Sequence, residues 1–440
     1  MVHQTIATAI ASTTRISRNT QPMRALSSIA LAACALAALL PAGCAAPASP
    51  REVALAPEAL ICPPVEKPAC PAAAAPAGPT TPAPPVEYRG KLQAAAWADI
   101  PDWKREPLRS ALEAFARGCP VLEKQDAWMG VCAGAQSLIH GATESEIAAF
   151  FELNFDPHQV INADDSTAGM VTGYYEPLLY GSRKRSARFR YPLYAAPPDL
   201  LAIDLAAVHP DLKHRRLRGR LEGNRIVPYL ARGDIDREPA PLKGQEIVWV
   251  DDAVDAFFLH IQGSGQVEFE NGERLRVGYA DQNGHPFRSL GGLLIRRGEL
   301  AAERASMQGI KDWARRSPRK VQQFMNENPS YVFFRELPRD LPGPIGSLGV
   351  PLTPERSIAV DPRVIPLGVP VFLATTWPNT ADPLHRLMVA QDTGGAIVGA
   401  VRADFFWGFG DPAGNQAGKM RQAGRMWVLL PKGYTPPATP

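Results

Sequence analysis

Outside its first 43 residues the chain has no surplus of either charge. Those residues hold Arg15, Arg18 and Arg24 and no acid, so of 47 basic and 44 acidic side chains 44 of each remain beyond them, and the formal net charge of +3 belongs to the leading segment. A neutral body lacks the basic excess that a phosphate backbone demands, which argues against nucleic acid as a partner. Cysteine is scarce, six in 440 residues, with no Cys-x-x-Cys pair, and the eight histidines show no His-x-x-x-His spacing. Zinc and thioredoxin chemistry therefore have no support, and neither metal nor cofactor is expected. No apolar run reaches the roughly 20 residues that cross a bilayer. Internal repeats and β-α-β alternation are also missing, which disfavours a doubly wound sheet.

What is present begins with a targeting signal. Met23-Arg24 followed by Leu26 to Leu40 reads as a positive segment and an apolar one, ending at Leu40-Pro41-Ala42-Gly43-Cys44. Small residues before a cysteine suit a lipoprotein signal, with lipid placed on Cys44; Pro41 shifts the leucine one place from the usual pattern, and ordinary cleavage after an Ala is the rival. Met23 is a candidate start. Residues 45–89 are dense in Ala and Pro, the composition of an extended, semi-rigid tether, and hold much of the excess among the 44 prolines. In an oxidising compartment Cys119 and Cys132 have two readings, a disulfide or two small buried residues.

The 45% hydrophobic content is ample for one large or two medium cores. Leu108, Leu112 and Phe115 recur at helical spacing, Thr143-x-x-Glu146 is a capping box before Ile147, Phe150 and Phe151, and Ser317-Pro318 opens a helix carrying Val321, Phe324 and Met325. Elsewhere short apolar runs are separated by Gly, Asp, Asn and Pro turns: Ile247–Val250, Phe257–Ile261, Val369–Leu373, Leu387–Ala390 and Met426–Leu430 read as strands.

Four segments carry a resemblance: Thr172-Gly173-Tyr174-Tyr175-Glu176-Pro177; Asp255 to Gly265 with Tyr279 and Asn283-Gly284-His285-Pro286; Asn328 to Arg335; and Ser357 to Pro431 with Asp361, Asp392 and Asp404. Together they resemble the family of membrane-bound lytic transglycosylase A, and the last is similar to the "3D" domain named for its three aspartates. The resemblance spans roughly residues 95–433. It implies a mainly β protein with a few helices: a double-psi β-barrel from 90–180 and 341–435, a smaller β domain inserted at 181–340, and a groove between them. It also implies a periplasmic location at the outer membrane of a Gram-negative bacterium, with the lipid anchor as the only membrane contact. Peptidoglycan glycan strands would be the substrate, and a cell-wall synthesis or division complex a candidate partner.

Breaking a glycosidic bond needs an acid on the leaving oxygen and stabilisation of positive charge on the sugar. A lytic transglycosylase manages with one carboxyl, because the muramic acid 6-hydroxyl is the nucleophile and the product is a 1,6-anhydro sugar. Asp404 precedes Phe405, Phe406 and Trp407, an apolar setting that would raise its pKa, whereas Asp392 precedes Thr393-Gly394-Gly395, where amides and a hydroxyl would hold it ionised. The resemblance agrees, giving Asp404 as acid then base and Asp392 as its support. Candidate substrate-binding residues are Tyr174 and Tyr175, as stacking platforms or as core, Glu176, Gln262 and Ser264, and Asp361, which begins an Asp-Pro turn. Gly263 and Gly265 beside them permit close approach of a ligand or a tight turn equally.

Two rivals remain. Asp392-Thr393-Gly394 is the tripeptide of aspartic proteases, but no second copy occurs, so only a homodimer would serve. The other is a non-catalytic peptidoglycan-binding lipoprotein, which would have no need of an acid set among aromatic residues.

Overall fold

The computed structural model describes residues 90–212 and 217–434. The signal, the linker and Cys44 lie outside these residues. Six strands close a barrel in the order Arg421–Pro431, Pro370–Thr376, Pro383–Asp392, Ser357–Val360, Arg402–Phe409 and Gly169–Glu176, the last pairing back onto the first. Two junctions are parallel, Ser357–Val360 with Pro383–Asp392 and Arg402–Phe409 with Gly169–Glu176; the others are antiparallel. Pro370–Thr376 is buried at every position but its last, because one face fills the barrel while the other is covered from outside.

That cover comes from helices Arg109–Leu122, Asp126–Leu138 and Glu144–Asn154, whose Phe115, Trp128 and Phe151 join Phe372 and Trp427 in one core. The Thr143 capping box forms as expected, Glu146 N–H donating to Thr143 Oγ1 at 3.3 Å and Thr143 N–H to Glu146 Oε2 at 2.6 Å. Cys119 and Cys132 are bonded, with Cα atoms 5.4 Å apart, and tie the first two helices together. Only 13 positions separate them. Replacing both by alanine is expected to lower stability by about 3 kcal/mol, read as a shifted denaturant midpoint.

A second sheet runs in the order Val332–Leu337, Arg274–Gln282, Ser264–Phe269, Leu178–Ser182, Glu246–Val250 and Tyr191–Tyr194, with an Ala195–Phe334 bridge joining its two ends. The fold is thus mainly β, a barrel with a β insert. Since Leu178–Ser182 already belongs to the second sheet, the barrel's first piece ends near Pro177 rather than at 180. Pro318–Asn326 is helical with proline at its first position, as the sequence predicts.

Phe257–Ile261 is a correction: it lies within the helix Ala253–Gln262, not a strand. Asp252 caps this helix by accepting from the amides of Val254 and Asp255, and Gly263 ends it in the left-handed conformation at φ 80°. Its apolar residues hide the helical period because the helix is covered on two sides. Ala256 and Leu259 face the insert sheet, and Val254 and Phe257 face a helical cluster with Leu294 and Trp313.

Candidate active site

Strand register, rather than sequence distance, assembles the carboxylates. Thr172, Asp404, Ala359 and Asp392 occupy one row across four adjacent strands: Asp404 pairs with Thr172 on one side and Ala359 on the other, and Ala359 pairs with Asp392 across a bulge. Ala359 is the small residue between the two acids. Alternation sends Ala403, Phe405 and Trp407 to the main core and leaves Asp404 on the face of Phe406 and Tyr174, whose rings lie 5.1 Å apart. The apolar setting is therefore real but differently built. Phe406, not its two aromatic neighbours, lies on the acid's face.

Thr172 Oγ1 donates to Asp404 Oδ1 at 2.5 Å, and Arg402 Nη2 donates to the same Thr172 oxygen at 2.8 Å, which directs the threonine proton onto the carboxylate. Burial pushes Asp404 up to about 6, against the pull of Thr172 and Arg402 and with a smaller push from Asp392. Gly173 is required beside it: a Cβ there would lie 2.6 Å from the Trp407 indole nitrogen. Thr172→Val removes the donor that favours the ionised form. The alkaline limb of kcat/KM is expected to move up by about one pH unit, the equivalent of one charge-assisted hydrogen bond.

Asp392 Oδ1 accepts from the amides of Ser347 (3.0 Å) and Thr393 (2.9 Å) and from the Ser347 hydroxyl (2.9 Å), while Oδ2 accepts from Tyr174 Oη (3.0 Å). Burial raises its pKa and these donors oppose the rise. Of the amides in Thr393-Gly394-Gly395 the one of Thr393 is among these donors, and the hydroxyls come from Ser347 and Tyr174, outside that segment. Ser347, Thr172, Arg402 and Ala359 did not stand out in the sequence. Only Thr172 had a usable signal, since strand alternation places it on the face of Tyr174.

The other predicted residues divide. Tyr174 is only 9% exposed and Tyr175 lies in the barrel core with its hydroxyl on Met307 Sδ, so neither ring is open for stacking on a sugar; Tyr174 serves Asp392 instead. Glu176 is buried against Arg276, whose Nε lies 2.9 Å from Oε1, and accepts from Gln266 Nε2 at 3.0 Å. Arg276 also donates to the carbonyls of Leu341 and Gly343. Glu176 thus clamps the two chain crossings between sheets and does not face a ligand. Asp361 is equally enclosed, accepting from Arg363 and from the Gly399 amide at 2.9 Å, and it anchors the loop before the Asp404 strand. Arg363 holds its carboxyl below the usual range despite burial.

Gln262 lies at the seam, its Oε1 accepting from the Tyr175 amide at 3.0 Å, and its Nε2 has no protein partner among the described residues. Ser264 follows at the start of its strand, half-buried. The adjoining glycines serve the fold rather than a ligand: Gly263 is the helix cap, and a Cβ on Gly265 would meet Leu259 at 2.5 Å. Among the described residues no cluster of His, Cys, Asp or Glu could hold a metal ion.

A closed barrel with an enclosed acid, joined by clamped crossings to a β insert, defines the class of two-domain proteins to which the comparisons point. The family model described as MltA specific insert domain matches residues 170–335, and the 3D domain model matches 356–430. Membrane-bound lytic murein transglycosylase A of Escherichia coli is 31% identical over 309 residues, covering 67% of this chain and 76% of the relative. Among solved structures, MltA from Neisseria gonorrhoeae shares 39% identity with a TM-score of 0.70, covering 80% of this chain and 95% of that one. E. coli MltA with bound chitohexaose shares 26% with a TM-score of 0.57, covering 78% and 94%. The chain belongs to the membrane-bound lytic murein transglycosylase A family.

Proposed function

We propose that the protein is a lytic transglycosylase that cleaves the β-1,4 bond between N-acetylmuramic acid and N-acetylglucosamine in peptidoglycan, with Asp404 as acid and then base. The observation that carries this reading is the setting of Asp404, enclosed in the row between Thr172 and Ala359 and pushed up by burial to about 6, so that it keeps a proton available near neutrality far more than an ordinary aspartate would. Protonated Asp404 gives its proton to the glycosidic oxygen as the bond from C1 breaks. Its carboxylate then takes the proton of the muramyl 6-hydroxyl, whose oxygen closes on C1. One proton leaves Asp404 and one returns, and no water is consumed.

Asp392, two strands away across Ala359, supplies negative charge while positive charge grows on the sugar. Gln262 Nε2 and the Ser264 hydroxyl are the groups we assign to the substrate at the seam. Tyr174, Glu176 and Asp361 act at one remove, holding Asp392, the crossings and the loop. The binding of chitohexaose by E. coli MltA, an oligomer of N-acetylglucosamine, supports a glycan substrate here. A lipid on Cys44, with the Ala/Pro-rich tether, would hold the enzyme at the outer membrane facing the wall. No helix among the described residues is long and apolar enough to cross a membrane.

Mass spectrometry of digested sacculi tests the reaction. Muramyl ends lighter by one water are expected; ordinary reducing ends would show hydrolysis instead, and intact sacculi would favour a binding protein.

A further inference from the structure

A cavity of about 550 Å³ lies in the insert, between the strand Tyr191–Tyr194, the segment 232–243, and the helices Ala253–Gln262 and Pro318–Asn326. Ala253, Ala256, Phe257 and His260 line it, one face of their helix, while Gln262 is on the opposite face, toward the barrel. It is therefore separate from the reaction centre.

Its wall contains buried polar groups that the protein does not satisfy. Arg232 is 3% exposed; its Nε and Nη2 both donate to the Ser330 carbonyl, its guanidinium lies between the rings of Phe257 and Tyr331 at 4.9 and 4.7 Å, and it forms no ion pair among the described residues. Nη1 is left without a partner. His260 accepts from the Val332 amide through Nδ1 at 3.0 Å, so the neutral ring carries its proton on Nε2, which has no protein acceptor. Burial and Arg232 keep this ring neutral. Tyr194 and Tyr331 are each 2% exposed, and neither hydroxyl has a partner among the described residues. None of these four polar atoms is sealed from solvent, although all four side chains line the cavity.

Each of these donors opens onto the cavity, so its partner is whatever fills that space, water or a ligand group that offers acceptors in the water's place. Four donors on one cavity call for an acceptor-rich, negatively charged group, the character of a carboxylate. Asp236 and Glu246 line the same cavity, so a neighbouring ammonium would also be matched.

We propose that this cavity is a second binding site, in the insert and away from the acid, for the α-amino-carboxylate end of a peptide carried by the wall glycan. The proposal rests on the peptidoglycan reading above. Such a site would hold substituted strands by their peptide while the barrel acts on the sugar.

The test uses the intact protein and a glycan-free tripeptide ending in diaminopimelate, titrated by calorimetry, beside the same peptide with that residue amidated. Wild type is expected to bind the free acid and to bind the amide at least tenfold more weakly. The double variant Tyr194→Phe, Tyr331→Phe loses only hydroxyls that no protein group uses, so it should fold normally and bind the acid about tenfold or more weakly. Cleavage of peptide-free glycan should be unchanged in that variant. Peptide affinity unaltered by the double variant, or no peptide binding by a wild type that cleaves peptide-free glycan to anhydro products, would overturn the site alone. Absence of anhydro products would instead remove the reading on which it rests.

Discussion

Asp404→Asn is expected to lower the rate of glycan cleavage by at least about a thousandfold, the span that one group acting as both acid and base supplies. Asparagine keeps the size and an acceptor for Thr172 Oγ1, so the row of Thr172, Asp404, Ala359 and Asp392 should persist. What disappears is the proton given to the leaving oxygen and the carboxylate that takes one back. The stability of the variant provides a separate check. A carboxyl raised to about 6 in the folded protein favours folding most below its unfolded value and loses that contribution as pH rises through 6. Above pH 6 the ionised, enclosed carboxylate is therefore a cost that asparagine removes. The variant should be as stable as wild type or more so at pH 7.5, and this advantage should vanish near pH 4. An inactive variant that is less stable at pH 7.5 would point to lost structure rather than lost chemistry. Activity within tenfold of wild type would remove Asp404 from its role.

The same residue shows how far the sequence could be read. Its place in Arg-Ala-Asp-Phe-Phe-Trp and the order of the four motifs were enough for the family and the mainly β fold. The helix starts at Thr143 and Pro318 were legible because they are set locally, by a capping hydrogen bond at the first and by the fixed φ of proline at the second. The Ala253–Gln262 helix was not, because burial on two sides erases the polar face on which periodicity depends. The partners of the carboxylates were equally hidden. Thr172 lies 232 positions from Asp404 and Ser347 lies 45 from Asp392, and only the tertiary fold brings them together. Glu176 and Asp361 were candidates because they stand inside the motifs that carry the resemblance. Their burial against Arg276 and Arg363 is a tertiary fact with no trace in spacing.

Asp392→Asn is expected to reduce the rate by about a hundredfold, the scale of a fixed charge or dipole aimed at developing charge. Four donors converge on its two oxygens, three on Oδ1 and one on Oδ2, so this carboxylate is positioned rather than free to carry a proton. Its negative charge also helps to raise Asp404. Neutralising it should therefore move the alkaline limb of kcat/KM below about 6, so that the loss grows between pH 6 and pH 8. Tyr174→Phe removes one donor and keeps the charge, and a loss of only a few fold is expected. Because both variants act through one group, Tyr174→Phe should cost little more in the Asp392→Asn background. The opposite pattern, with Asp392→Asn mild and its pH limb unmoved while Tyr174→Phe is severe, would mean that the row needs the Tyr174 ring against Phe406 and not the charge beyond Ala359. A fall in activity with an unchanged limb for both would make Asp392 a brace for the Ser347 loop alone.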